Sequence, residues 1–306
     1  MARSRVVKKE PMERTSAVGP YRRPLLGAHL SIAGGVHRAL GRGEELGCTV
    51  IQIFTKNASQ WKGRTLSAEE IEKFRSEQTR TRIEVIAHAA YLINVASPDR
   101  SLAMRSISAL REEMERAEML GIPFVVVHPG AHSGSGEQAG IKAVIESLNV
   151  LVRDTEGFHV RLLLENTAGQ GSVLGHRFEH LKQMIEGSVA PERLGVCIDT
   201  CHLFAAGYDL SRSKYDDTME RLERAVGVEK VEVLHLNDSK KGLGLRVDRH
   251  EQIGLGSLGL DPFRLIMNEP RFVNTPKIIE TPKQHHGVDM DPVNLRLLRS
   301  LVREAK

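Results

Sequence analysis

Residues Leu194–His202, LGVCIDTCH, pose the question on which both fold and function turn. Val196, Cys197 and Ile198 make an apolar run, Asp199 closes it, and Cys201 and His202 follow at once. Three readings compete: a thiolate metal site, a redox pair, or a buried strand whose end carries ligands of another kind. They separate only when the rest of the chain is laid beside this stretch.

Seven other stretches share its build: PLLGAHL at 24–30, TVIQIFT at 49–55, IEVIAHA at 83–89, PFVVVHP at 123–129, VRLLLEN at 160–166, VEVLHLN at 231–237 and PKIIETP at 276–282. Between them lie longer segments of helical period, such as 67–78 and 101–120. Short β-branched runs alternating with helical segments mark repeated strand–helix units around a parallel sheet. Eight of each predict an α/β fold of the TIM (β/α)8 barrel type, which accommodates 306 residues as a single domain. With no Pro/Gly/Ser-rich linker inside the chain, residues 24–306 are expected to form that domain.

Composition narrows the class. Apolar residues make up 41% and charged residues 27%, as in an ordinary soluble globular protein. No apolar run reaches membrane-spanning length, so no membrane partner is expected. Three cysteines without an apolar leader give no disulfide framework and predict a reducing, cytoplasmic setting. The net charge of +4 favours an anionic partner only weakly. Much of the excess sits in residues 1–23, which carry Arg3, Arg5, Lys8, Lys9, Arg14, Arg22 and Arg23 without apolar periodicity. That segment reads as a basic, disordered extension.

Against the strand map, residues able to bind metal fall at the carboxyl ends of the runs: His29, His88, His128, Glu165, Asp199, His235 and Glu280. That end of a barrel is the functional one, because its loops are free of core packing. A single histidine there is more often structural than a ligand. Seven ionisable groups converging on one rim are costly unless paired or bound to a cation. His202 follows Asp199 by three residues, so a helical turn opening after the strand would aim both at one centre. Asp248 and His250 stand two apart, which in an extended loop points both the same way. Leaving His29 aside, these nine imidazoles and carboxylates suit zinc, with manganese second, and are too many for one tetrahedral ion. Two or three ions are expected.

The same inventory answers the cysteine question. A site of four thiolates, or of three thiolates and an imidazole, needs partners that the three cysteines do not supply, and Cys197-x-x-x-Cys201 lacks the C-x-x-C redox spacing. Cys197 reads as a small core hydrophobe and Cys201 as packing beside the ligands. Gly169-Gln170-Gly171 and Gly254-Leu255-Gly256 lack a P-loop lysine or a strand–GxGxxG–helix context, although their amides could touch phosphate.

The motifs GAHLSIAGG, FTKNASQW, AHAAYLIN, HPGAH, LLENTAGQG, GVCIDTCHLFAAGYD, HLNDSK, RVDRH and IIET resemble, in order and spacing, those of the endonuclease IV family of zinc-dependent abasic-site (AP) endonucleases. The resemblance spans residues 24–302. It implies a TIM barrel with three zinc ions. His88 and His128 would hold one ion and share Glu165 with a second, which also takes Asp199, His235 and Glu280. His202, Asp248 and His250 would hold the third. His29 would orient a neighbour rather than ligate. The implied partner is double-stranded DNA containing abasic sites, bound by a monomer with no obligate protein partner. The implied reaction is DNA repair hydrolysis of the phosphodiester 5′ to the lesion, leaving a 3′-hydroxyl and a 5′-deoxyribose phosphate, with 3′-end trimming besides. Glu165 would be the catalytic residue, ligating and orienting the nucleophile. Tyr91 and Leu92 match positions that enter the duplex, and Lys56, Gln60, Trp61, Lys240, Arg246 and Arg249 are expected DNA contacts. Two departures stand out: Ser59, where the best-known members carry a gap-filling arginine, and Leu255, where they carry glutamate. The chief rival is a sugar isomerase on a related barrel, which would not need His202, Asp248 and His250; a catalytically silent lesion binder would not need all nine ligands.

Overall fold

A computed structural model describes residues 24–303. The basic extension expected at 1–23 and the last three residues, 304–306, lie outside the described residues. Eight strands form the sheet: β1 (Leu26–Ala28), β2 (Val50–Phe54), β3 (Glu84–His88), β4 (Phe124–Val127), β5 (Arg161–Glu165), β6 (Leu194–Asp199), β7 (Val231–His235) and β8 (Lys277–Ile279). Neighbours pair in parallel from β2 through β7 to β8 and then β1. A parallel bridge between His29 and Gln52 brings β1 beside β2 and closes the barrel. The fold is the TIM barrel read from the alternating runs.

The inner and outer faces of the strands build separate cores. Val50, Ile86, Val126, Leu163, Cys197, Val233 and Ile278, one from each of seven strands, pack together inside the barrel. The eighth strand contributes Gly27, in register with Ile278, where a Cβ would overlap the Val50 carbonyl oxygen. Cys197 is therefore one member of an apolar ring, which explains why its strand reads as continuously buried. Alternate residues such as Val85, Val125, Leu164 and Ile198 face outward into the larger core beneath the helices.

Around the sheet run α1 (Arg38–Glu45), α2 (Ala68–Thr81), α3 (Arg100–Leu120), α4 (Glu137–Asp154), α5 (Phe178–Glu186), α6 (Thr200–Ala205), α7 (Tyr215–Ala225), α8 (Asp261–Met267) and α9 (Asp291–Ser300). Local chemistry sets their ends. Ser67 and Glu70 form a capping box that starts α2, and Asp99 caps α3, which stops at Gly121 with φ 73°. One helix exceeds the eight expected among the described residues: α6, a short turn opening directly from the end of β6. No helix among the described residues is long and apolar enough to cross a membrane.

Candidate metal centre

The extra helix explains how LGVCIDTCH presents two ligand-type residues. Asp199 ends β6 in extended conformation, and its Oδ1 accepts the His202 N–H at 2.8 Å, capping α6. Thr200 anchors the junction by donating to the Asn237 carbonyl at 2.7 Å. Both thiols lie close to the rim, Cys197 Sγ near the ligand atoms of Glu165 and His235 and Cys201 Sγ near those of Asp199 and His250, each group within 4.8 Å. Burial pushes the Cys197 and Cys201 thiols up to about 12, and Cys201 Sγ lies 3.7 Å from the Arg249 carbonyl.

Glu165, at the end of β5 and fully buried, occupies the centre of the rim. Its Oε2 lies 3.1 Å from His88 Nε2 and 3.1 Å from His128 Nε2. Its Oε1 lies 3.2 Å from Nδ1 of both His202 and His235. His235 Nδ1 is also 3.2 Å from Glu280 Oε2 and 4.0 Å from Asp199 Oδ2. On the outer side, Asp248 lies 3.2 Å from His202 Nε2 and 3.4 Å from His250 Nε2, and the latter is 3.7 Å from Asp199 Oδ2. All nine candidates thus meet on one rim.

These contacts have the form of ligand atoms facing shared points. Four rings spend one nitrogen each on an oxygen that can only accept: His88 Nδ1 on the Ala89 carbonyl (2.8 Å), His202 Nδ1 on Asn166 (2.9 Å), His250 Nδ1 on Glu280 (3.2 Å) and His235 Nε2 on Gln52 Oε1 (2.8 Å). The other nitrogen, a lone pair in the neutral ring, then faces a carboxylate, which is repulsive unless a cation lies between. A ring proton would offset that repulsion best where it is aimed at an oxygen, which is not so at Nε2 of His202 or His250. Their Nε2 atoms are buried and make no hydrogen bond despite lying within 3.4 Å of Asp248, because the geometry does not aim at its oxygens. Donors about 2.0–2.1 Å from a common tetrahedral ion stand about 3.3 Å apart, which is the spacing found here. The donor set fits metal.

The electrostatics agree. Burial opposes charge on His88, His202 and His235, yet all three rings are held above the usual histidine range, His88 and His202 by the facing carboxylates and His235 by the Cys197 side chain together with Glu280 and Glu165. Burial likewise opposes ionisation of Glu165, Glu280 and Asp248, but neighbouring histidines hold the first two well below the usual carboxylate range and Asp248 at about 2. The carboxylates stay ionised and require positive charge beside them.

Three side chains that sequence reasoning passed over position this set. Gln52 accepts from His235 and donates to Glu280 Oε1 at 2.6 Å. Asn166 brackets the Asp199 backbone, accepting its N–H at 2.6 Å and donating to its carbonyl at 3.2 Å. Asn237 donates to Asp199 Oδ2 and accepts the Glu280 N–H at 2.7 Å. Such partners fix ring tautomer and carboxylate orientation. Asn166 directly follows Glu165 in LLENT, and Asn237 stands two residues after His235 in HLND, a signal that was there to be used. Asp238 accepts the amides of Gly254, Gly256 and Leu258 at 2.9–3.0 Å. The amides of Gly254 and Gly256 are thereby spent internally, not free for phosphate, and a Cβ on Gly256 would overlap the Asp238 carboxylate.

The expected DNA contacts divide. Tyr91 is 73% exposed, and its ring meets Phe54 edge-on at 5.2 Å and His88 at 6.2 Å, so a projecting side chain leans on the metal centre. Leu92, Gln60, Lys240 and Arg249 are exposed or nearly so, Arg246 is exposed, and Lys240 lies 3.7 Å from Glu251. Trp61 is half-buried beneath the Arg105 guanidinium, 4.3 Å from the ring centre. Lys56 departs from expectation. It is buried, with Nζ 2.6 Å from Glu113 Oε1, because α3 supplies a carboxylate that neutralises it inside the fold. Its charge braces the loop after β2 and is not presented to a phosphate.

Fold and rim together define a class: residues 40–301 match a family model described as a xylose isomerase-like TIM barrel. Solved structures under 25% identical, among them a D-tagatose 3-epimerase-like protein (20% identity, TM-score 0.69, 90% of this chain and 96% of that one), share the barrel. Closer relatives are narrower. The chain is 52% identical over 280 residues to a probable endonuclease 4 of Citrifermentans bemidjiense, covering 91% of this chain and 99% of that one. It is likewise 52% identical to one of Chloroflexus aggregans, covering 92% and 98%. The crystal structure of endonuclease IV from Thermus thermophilus superposes with a TM-score of 0.81 at 37% identity, over 92% of this chain and 100% of that one. The chain belongs to the endonuclease IV family, and it is an enzyme, a nuclease-type hydrolase.

Proposed function

We propose that this protein is a zinc-dependent AP endonuclease of DNA repair. It incises duplex DNA on the 5′ side of an abasic nucleotide, leaving a 3′-hydroxyl and a 5′-deoxyribose phosphate, and trims blocked 3′ ends. The observation that carries the reading is the convergence of His202, Asp248 and His250 beside the other six rim residues. A sugar-isomerising barrel has no use for that outer group, whereas phosphodiester hydrolysis must neutralise both an attacked phosphate and a leaving oxygen.

The rim falls into three groups, each fitted to one zinc: His88, His128 and Glu165; Glu165, Asp199, His235 and Glu280; and His202, Asp248 and His250. Bound there, zinc supplies a water of lowered pKa, about 7, and Lewis-acid neutralisation of phosphoryl oxygens, with manganese a workable substitute. Glu165 turns one oxygen toward the first group and the other toward the second, so its role is to join the two and orient the attacking water. Gln52, Asn166 and Asn237 keep rings and carboxylates from rotating away. Tyr91 and Leu92 project from the rim into the space that an abasic gap offers, with Phe54 as the brace behind Tyr91. A lesion without a base is chosen in this way by shape and ease of deformation. Gln60, Trp61, Arg246 and Arg249 line the flanks. The enzyme acts as a monomer in the cytoplasm.

A duplex with a single abasic analogue, incubated with the protein as purified, after strong chelation and after zinc repletion, tests the reading. The expected result is 5′-side incision, abolished by chelation and restored by zinc. No incision under any metal condition overturns it.

A further inference from the structure

One wall of the rim cavity carries donors that no metal can use. The cavity, of about 270 Å3, is bordered by ligand residues and also by His29, Tyr91 and Lys283. The protonation of His29 follows from its partners. Gln52 Oε1 only accepts, so His235 Nε2 donates to it, and the Gln52 amide nitrogen is turned to Glu280 and to His29 Nδ1 at 2.9 Å. His29 Nδ1 lies 3.4 Å from Glu280 Oε1 but nearer, at 2.9 Å, to the Gln52 amide nitrogen, so it accepts from that amide and the ring proton is on Nε2. That atom is buried and has no partner among the described residues.

Lys283 borders the same cavity. Its Nζ donates to the His29 carbonyl at 2.6 Å and to Asp291 Oδ2 at 2.7 Å, which leaves one of three ammonium hydrogens uncommitted. A buried N–H without an acceptor is costly, and a metal ion takes lone pairs rather than N–H groups. This wall therefore awaits an acceptor, and an ammonium and an imidazole N–H lining one cavity favour one that is anionic.

Resting on the endonuclease reading, we propose that His29 Nε2–H and Lys283 Nζ form a metal-free anion wall that hydrogen-bonds a non-bridging oxygen of the scissile phosphate. Both are binding residues for the reaction, and His29 acts through its own donor as well as by accepting from Gln52. After incision the same phosphate is the 5′ terminus of the abasic residue, so the wall also holds product.

The test uses the zinc-loaded protein and nicked duplexes carrying a tetrahydrofuran abasic analogue with either a 5′-phosphate or a 5′-hydroxyl, with affinity read by fluorescence anisotropy. His29→Phe and Lys283→Met are each expected to weaken the 5′-phosphate duplex about tenfold while changing the 5′-hydroxyl duplex less than about twofold. A variant that damaged the fold would weaken both duplexes alike, so the hydroxyl arm reports on folding directly. Equal loss on both duplexes, or loss on neither, overturns the proposal. Wild-type protein that preferred neither nicked duplex over undamaged DNA would instead overturn the endonuclease reading beneath it.

Discussion

The two ends of the barrel handle buried charge in opposite ways. At the base, Lys277 opens β8 almost wholly buried, and its Nζ donates to the carbonyls of Phe272 and Thr275 at 2.6 and 2.9 Å. Arg161, opening β5, reaches Glu232 at 2.6 Å and the Leu194 carbonyl at 3.0 Å. Donors there meet acceptors within the chain, with Arg193 Nε the exception. At the rim, carboxylates face imidazole lone pairs, and Nε2 of His29, His202 and His250 is buried without a partner. The contrast separates polar groups that serve the fold from those that await something outside it.

Breaking the rim should have the largest effect. Glu165→Gln and Asp199→Asn are each expected to slow incision on the order of a thousandfold, because a carboxylate loses charge where cations must be held, while circular dichroism stays that of the parent. Lys56→Met is expected to cost about 3–5 kcal/mol of stability by leaving the buried Glu113 carboxylate without its ion-pair cation, with the Thr55 hydroxyl still donating to it, and the salt dependence of DNA binding in the surviving folded protein should be unchanged. A flatter salt dependence would return Lys56 to the DNA surface.

The base is open to a pH test. Burial lowers the Lys277 amine from an ordinary 10.5 to about 8. Between those values the unfolded chain binds more protons than the folded one, so this group makes stability rise with pH across the window, with its full penalty present below about 8. Denaturant titrations of Lys277→Met and the parent across that range should differ in slope, the variant rising less; parallel curves would mean that the amine is not perturbed. Smallest of all, Cys197→Ala together with Cys201→Ser should cost about 1–2 kcal/mol, chiefly from a gap in the inner ring, and leave zinc content intact.

The barrel and the rim residues were legible because both follow from short-range pattern: an apolar run fixes a strand, and the residue ending it is placed by the strand itself. Even the pair Asp199 and His202 needed only one helical turn. Gln52 was not legible. It sits inside a β-branched run like any strand residue, and its partner Glu280 lies at the far end of the chain, joined to it only when the barrel closes between β1 and β2. Lys56 was misread for the same reason: a lysine after a strand looks like surface charge until α3 folds back with Glu113. Cys197 came out as a core residue because alternation alone puts it inside.

The most direct measurement of the central claim is zinc per chain by mass spectrometry, for the parent and for His202→Ala combined with Asp248→Asn. Three rim groups require about three zinc ions in the parent and about two in the double variant, since the outer group alone is dismantled. Equal zinc content in the two proteins would mean that His202 and Asp248 hold no ion, and the contrast between the two ends of the barrel would have to be drawn again.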